Sequence, residues 1–129
     1  MNVQEFSHVT INVSNLSRAL QFYIDILQMN LVHRGRKDAY LEWGNAWICL
    51  QERPEKAKQR EQLGVDHVAF YIDEKDFAKA VNHLQENNVE IVRGPMKRGL
   101  GWSINFLDPD GTQLELHTST LTERMKVWE

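Results

Sequence analysis

Ser7-His8-Val9-Thr10-Ile11-Asn12-Val13 and Asp66-His67-Val68-Ala69-Phe70-Tyr71-Ile72 are two copies of one pattern. In each, a polar residue and a histidine open an alternating run. Successive side chains of a strand point to opposite faces, so Val9, Ile11 and Val13 share one face while His8, Thr10 and Asn12 share the other. The second copy sets Val68, Phe70 and Ile72 against His67, Ala69 and Tyr71 in the same way. Both runs lead into helical spacing. After the first, Ser14 or Asn15 can cap a helix whose apolar stripe is Leu16, Ala19, Leu20, Tyr23, Ile26 and Leu27. After the second, Asp73 is placed to cap a helix bearing Phe77, Ala80, Val81 and Leu84. A duplicated unit sets corresponding residues symmetrically, so His8 and His67 can face one another although far apart in the chain.

Three short strand-like runs follow the first helical pattern, at about 31–36, 38–43 and 46–51, with Gly44-Asn45 as a tight turn. Three more follow the second, at 90–93, 102–107 and 113–118. Asp108-Pro109-Asp110-Gly111 joins the last two, its proline and glycine supplying the fixed and the positive φ of a turn. Each unit therefore reads βαβββ, over about 4–52 and 64–118, and a charged connector at 53–63 holding Pro54 reads as an exposed linker. Thr120 and Glu123 have capping-box spacing ahead of a short final helix at about 120–128. The basic, glycine-rich segment from Arg93 to Gly101 lacks phosphate-loop spacing and reads as a mobile loop. The fold class is α+β, with two βαβββ modules in a single domain over residues 1–129.

Composition agrees with one compact domain, since 129 residues at 42% hydrophobic can bury a core without metal or disulfide support. Fifteen basic against 18 acidic side chains give a net charge of -3, which speaks against nucleic acid and anionic membrane as partners. The amino terminus shows no basic segment followed by an apolar one, and no apolar run approaches the roughly 20 residues that span a bilayer. The chain reads as cytoplasmic. Cys49 is the single cysteine, so no intrachain disulfide can form.

The polar faces carry the chemistry. Gln113, Glu115 and His117 share one phase of the last strand, with Leu114 and Leu116 on the other. His8, His67 and Glu115 thus offer two imidazoles and a carboxylate, a set that leaves positions open on a divalent metal for water or substrate. Zn²⁺, Mn²⁺ and Fe²⁺ suit these donors about equally. His117 can support Glu115 from the same face, while His33 and His83 read as surface residues. Trp47 and Cys49 share a phase beside Tyr40 and Glu42, forming either an aromatic wall of a ligand cup or a packing contact, the latter favoured for Cys49. Arg124 is either a ligand for an anionic substrate or an exposed helix arginine.

The paired βαβββ modules, the two histidines and Leu107-Asp108-Pro109-Asp110-Gly111-x-x-Leu114-Glu115-x-His117 resemble the vicinal oxygen chelate superfamily, which includes glyoxalase I, extradiol dioxygenases and bleomycin-binding proteins. Within it, His8-Val9-Thr10, Phe22-Tyr23-x-Asp25-x-Leu27, Ala39-Tyr40-Leu41-Glu42, Trp47-Ile48-Cys49-Leu50 and Leu121-x-x-Arg124 look most like the fosfomycin-resistance thiol transferases. The resemblance implies a half-open barrel and a homodimer whose sites are built across the subunit contact. It implies that His8, His67 and Glu115 hold a divalent metal (Mn²⁺, Zn²⁺, Mg²⁺ or Fe²⁺). Thr10, Ser103 and Arg124 would meet a substrate phosphonate, with Thr10 and Arg124 closest to the catalysis. Tyr40, Trp47, Lys97 and Asn105 would complete the pocket. A low-molecular-weight thiol would be the co-substrate and a small anionic epoxide the electrophile.

Some positions depart from that pattern. Asn105 stands where the family has a pocket tyrosine, and Pro95 or Lys97 where a phosphonate-binding lysine is expected. Gly99 and Leu100 replace a serine and a glutamate of the monovalent-cation loop, which weighs against potassium activation. Asn45 replaces the glutamate with which related hydratases activate water. Thr10, where bacillithiol-using members carry cysteine, leans toward glutathione or another thiol. The alternatives within the superfamily are a glyoxalase I-type isomerase, an extradiol dioxygenase and a metal-free drug-binding protein.

Overall fold

The computed structural model describes residues 1–56 and 63–127. Most of the expected connector at 53–63, and the end of the final helix near Trp128, lie outside the described residues. The chain divides into two compact units, Met1–Arg60 and Glu61–Glu129.

The first unit runs β1 (His8–Val13), α1 (Leu16–Leu20), a π-helical continuation (Gln21–Ile26), β2 (Asn30–Arg34), β3 (Asp38–Trp43) and β4 (Ala46–Glu52). Its sheet order is β1-β4-β3-β2, with β1 parallel to β4 and the other pairs antiparallel. The Asn15 side chain caps α1 by accepting from Arg18 N at 2.9 Å, and Glu52 Oε2 accepts from Leu16 N at 2.9 Å, tying the helix start to the end of β4. Alternation behaves as expected: Ile11 and Val13 are buried, while His8, Thr10 and Asn12 are exposed on the other face. Ala39, Leu41, Ile48 and Leu50, all fully buried, extend the apolar face. Burial of each large aliphatic side chain among them is worth about 1.5–3 kcal/mol.

One part of the expected helical stripe shifts. Leu27 N bonds to Phe22 O, five residues back, at 2.9 Å. That wider turn carries Phe22 and Tyr23 inward together, to 4% and 0% exposure, and leaves Ile26 half-buried. The Gly44-Asn45 turn joins β3 to β4, with Gly44 at φ 58° in its first position, as a type II′ hairpin requires.

The second unit runs β5 (Val68–Tyr71), α2 (Glu74–Glu86), β6 (Ile91–Arg98), β7 (Gly101–Leu107), β8 (Gln113–His117) and α3 (Leu121–Met125), in sheet order β5-β8-β7-β6. Phe77, Val81 and Leu84 form the buried stripe of α2. The helix ends in a Schellman arrangement, Val89 N to Leu84 O and Asn88 N to Gln85 O, both at 3.1 Å, with Asn88 at φ 57°. Asp108 Oδ1 holds the β7–β8 turn by accepting from Asp110 N and Thr112 N at 2.9 and 2.8 Å. The expected capping box is present, with Thr120 Oγ1 accepting from Glu123 N and the Glu123 carboxylate accepting from Thr120 N.

The segment from Arg93 to Gly101 is not a loop. Most of it is the second half of β6, paired antiparallel with β7 as Met96 to Ser103, Lys97 to Trp102 and Arg98 to Gly101. The strand reading fails at Gly94-Pro95 because these residues break alternation. In the structure a register irregularity between Arg93 and Met96 absorbs them, with Gly94 at φ 89°. Only Gly99 and Leu100 form the turn.

Candidate metal and substrate site

In the second unit the register puts Ala69, Glu115, Asn105 and Arg93 in one row across the sheet, and Tyr71, His117, Ser103 and Met96 in the next. Residues directly opposite share a face, so these eight positions form one surface of the unit. Leu114, Leu116, Ile104 and Phe106 take the other and are buried. His67 immediately precedes β5. Its Nε2 lies 3.4 Å from Glu115 Oε1, and its Nδ1 lies 2.7 Å from Asp66 Oδ2. A carboxylate can only accept, so Asp66 fixes the proton on Nδ1 and turns the Nε2 lone pair toward Glu115.

Glu115 is buried, at 8% exposure, and both its oxygens have neighbours. Asn105 Nδ2 donates to Oε1 at 3.0 Å. His117 Nδ1 is 3.0 Å from Oε2, yet its alignment is too poor for a hydrogen bond; His117 Nε2 meets Ser119 Oγ at 2.7 Å. Arg93 Nε donates to Asn105 Oδ1 at 3.2 Å. Ser103 Oγ is buried with no hydrogen-bond partner among the described residues, on the same face as Glu115.

The donors in this unit suit a divalent cation. Two ligands at about 2.0–2.2 Å from one ion stand about 3.0–3.5 Å apart, the separation seen between Nε2 and Oε1. A carboxylate behind Nδ1, as Asp66 stands here, is a common partner of metal-binding imidazoles because it fixes the tautomer and the ring. Among the described residues no group of three or more His, Cys, Asp or Glu side chains forms a ready-made cage. The second unit holds two of the three expected donors, and His8 belongs to the first.

In the first unit His8, Thr10 and Asn12 pair with Trp47, Cys49 and Gln51, and Tyr40 pairs with Cys49, so His8, Thr10, Tyr40 and Trp47 share a face. The His8 ring lies 4.3 Å from that of Trp47, and Tyr40 meets Trp47 edge-on at 5.8 Å. Trp47 and Tyr40 are about two-fifths exposed, at 40% and 39%, whereas Cys49 is buried. His8 Nδ1 is 2.9 Å from Ser7 Oγ. Both copies of the repeated phrase therefore engage Nδ1 through the preceding side chain. A serine hydroxyl donates or accepts, so it leaves the His8 tautomer open where Asp66 fixes that of His67.

Two other expected substrate residues differ in placement. Arg124 sits half-buried on α3 against the β6–β7 turn, where a Cβ added to Gly99 would come 3.0 Å from its Nη1. Lys97 is paired with Trp102, on the sheet face opposite Ser103 and Asn105, and Trp102 looks toward Phe77 of α2 at 6.5 Å. The register thus takes Lys97 out of the row of site residues, because the irregularity at Gly94-Pro95 resets the strand's phase. Arg93 occupies that row instead. Asp66 and Arg93 were not singled out from sequence; the carboxylate directly ahead of His67 was the available sign for the first, and nothing local marked the second.

The sequence profile described as the Glyoxalase/Bleomycin resistance protein/Dioxygenase superfamily matches residues 5–116. The chain belongs to this superfamily. A relative named metallothiol transferase FosB, from Staphylococcus epidermidis, is 39% identical over 130 residues, covering 100% of this chain and 92% of the relative. Another of that name, from Shouchella clausii, is 35% identical over 98% of this chain and 88% of its own length. Among solved structures, the genomically encoded fosfomycin resistance protein FosX from Listeria monocytogenes, complexed with Mn(II) and sulfate, superposes with a TM-score of 0.81 at 28% identity, covering 97% and 98% of the two chains. FosX from Mesorhizobium loti gives 0.78 at 28% identity over 96% and 99%. Each unit carries one four-stranded mixed sheet, the paired βαβββ modules that the sequence resemblance implied, and neither sheet closes into a barrel.

Proposed function

We propose that this chain is a divalent-metal-dependent thiol transferase of the fosfomycin-resistance type, which adds a low-molecular-weight thiol to a small anionic epoxide in the cytoplasm. The observation that carries this reading is the approach of His67 Nε2 to Glu115 Oε1 at 3.4 Å with Asp66 behind the ring. The metallothiol transferase relatives and the Mn(II)-bound FosX structure support it. His8 is the third ligand in this reading, on the strength of its equivalent place in the repeat. The protein works as a homodimer, with His8 from one subunit and His67 with Glu115 from the other.

A divalent cation held by these residues supplies Lewis-acid polarisation of the epoxide and phosphonate oxygens. The chain's own groups bind and orient the substrate. Ser103 Oγ, buried without a partner among the described residues, donates to a phosphonate oxygen, with Thr10 as a second donor. Arg124 offsets the phosphonate charge. Tyr40 and Trp47 offer an apolar wall beside His8. Cys49 is buried and remains a spectator, so the attacking sulfur comes from the co-substrate. As the C–S bond forms, the ring C–O bond breaks and the released oxygen takes up a proton, giving a thioether alcohol.

The test incubates purified protein with Mn²⁺, fosfomycin and, in turn, glutathione, cysteine and bacillithiol, and follows the adduct by mass spectrometry. The expected result is adduct with at least one thiol, abolished by chelator. Stoichiometric metal with no adduct from any thiol would move the assignment to isomerase or dioxygenase chemistry. Absence of both metal and any chelator effect would move it to drug binding.

A further inference from the structure

Asn105 is fully buried, and both ends of its amide are engaged within the protein. Arg93 Nε donates to Oδ1 at 3.2 Å, and Nδ2 donates to Glu115 Oε1 at 3.0 Å. The guanidinium has no acceptor atom, so it can only face the amide oxygen, and this fixes which end of the amide meets the carboxylate. Oε1 is also the oxygen that His67 Nε2 approaches. The register places Arg93, Asn105 and Glu115 side by side on β6, β7 and β8, one residue per strand.

We propose that Asn105 is a positioning residue for Glu115 and not a contact for substrate, with Arg93 locking the amide in the orientation that donates to Oε1. The inference rests on the metal-site reading above. A donor on the oxygen nearest His67 holds the carboxylate in a single rotamer, so that a cation meets an oriented ligand and does not pay to order it. Each polar atom of the Asn105 amide already has a protein partner, Arg93 at the carbonyl and Glu115 at the nitrogen, which favours holding Glu115 over contacting a substrate. The position at which the resemblance calls for a tyrosine in the pocket serves the ligand shell in this chain. Arg93, exposed on its strand, acts from outside inward through two hydrogen bonds.

Outer-shell partners of this kind change metal affinity about 10- to 100-fold when removed. The test measures Mn²⁺ dissociation constants by calorimetry for wild type, Asn105→Leu and Arg93→Ala. It pairs them with thermal unfolding in chelator and in saturating Mn²⁺. The expected result is a 10- to 100-fold weaker constant for Asn105→Leu and a smaller weakening for Arg93→Ala, with the metal-induced rise in melting temperature reduced in both. A purely structural role would lower the chelated and metal-loaded melting temperatures alike and leave the constant unmoved. Folded Asn105→Leu protein that binds Mn²⁺ within twofold of wild type would overturn the proposal. If Asn105→Leu does not fold, an unchanged constant for the surface variant Arg93→Ala would overturn it equally. Wild-type protein that binds no Mn²⁺ would overturn the metal-site reading itself, an outcome distinct from equal binding by all three proteins.

Discussion

His67 has a carboxylate near each ring nitrogen, and the two do different work. Asp66, largely exposed and 2.7 Å from Nδ1, sets the tautomer; Glu115, buried and 3.4 Å from Nε2, shares the space that a cation would fill. Replacing Asp66 with alanine should weaken Mn²⁺ binding about 10- to 100-fold, whereas Ser7→Ala, which removes a neutral partner from His8, should cost less. Calorimetric titration of the two variants checks that order, and equal losses would contradict the assigned roles. Tyr71, one row from Glu115 on the same face, offers a test that needs no metal. A hydrogen bond to Asp73 at 3.2 Å, and then the charge of that carboxylate, raise its phenol above the ordinary value. Asp73→Asn should bring the phenol titration back down, as followed by ultraviolet absorbance, because the neutral amide no longer opposes the phenolate. At this scale Glu115 was legible, since strand phase alone separates it from Leu114 and Leu116. The Arg93–Asn105 contact was not, because it depends on which residue of β6 lies beside β7, and that register is reset at Gly94-Pro95.

Strand β6 departs furthest from what its composition suggests. Proline and two glycines between Arg93 and Gly101 look like loop composition, yet the partner strand β7 supplies hydrogen bonds that composition cannot reveal. Gly94 makes this possible. Its φ is 89°, and a Cβ there would lie 2.7 Å from Ser103 O. Gly94→Ala should therefore destabilise the protein by about 1–3 kcal/mol, measured by chemical denaturation, through strain that no side chain nearby can relieve. Wild-type stability in that variant would mean the irregularity does not require glycine. Helix ends were more readable. The spacing of Thr120 and Glu123 forecast the capping box that starts α3, and Thr120→Ala should cost about 1 kcal/mol there. The π-helical turn after α1 was invisible, because an apolar stripe at 3.6-residue spacing fits Leu16 to Leu20 and gives no sign that Leu27 will bond five residues back.

For the whole molecule the duplication was the readable fact, because the two copies share residue types, phase and the order of elements. Each unit has the sheet order that βαβββ connectivity imposes, with the first strand parallel to the last and the middle strands antiparallel. What duplication does not reveal is which chains pair. If one subunit supplies His8 and its partner supplies His67 and Glu115, inactive His8→Ala and His67→Ala proteins should recover activity when dissociated and reassociated together. In the mixed dimer one site carries both substitutions and the other carries neither, so random pairing restores about a quarter of wild-type activity. No recovery, with mixed dimers demonstrated by mass, would place all three ligands within one chain.

The metal-affinity and mixed-dimer tests rest on the claim that His8, His67 and Glu115 bind a common divalent cation. Anomalous diffraction at the manganese edge, from crystals grown with Mn²⁺, addresses it directly. One peak per chain is expected, within about 2.0–2.3 Å of His67 Nε2, a Glu115 carboxylate oxygen and an imidazole nitrogen of His8. A peak ligated by other residues, or no peak at these three in crystals that bind manganese, would contradict it.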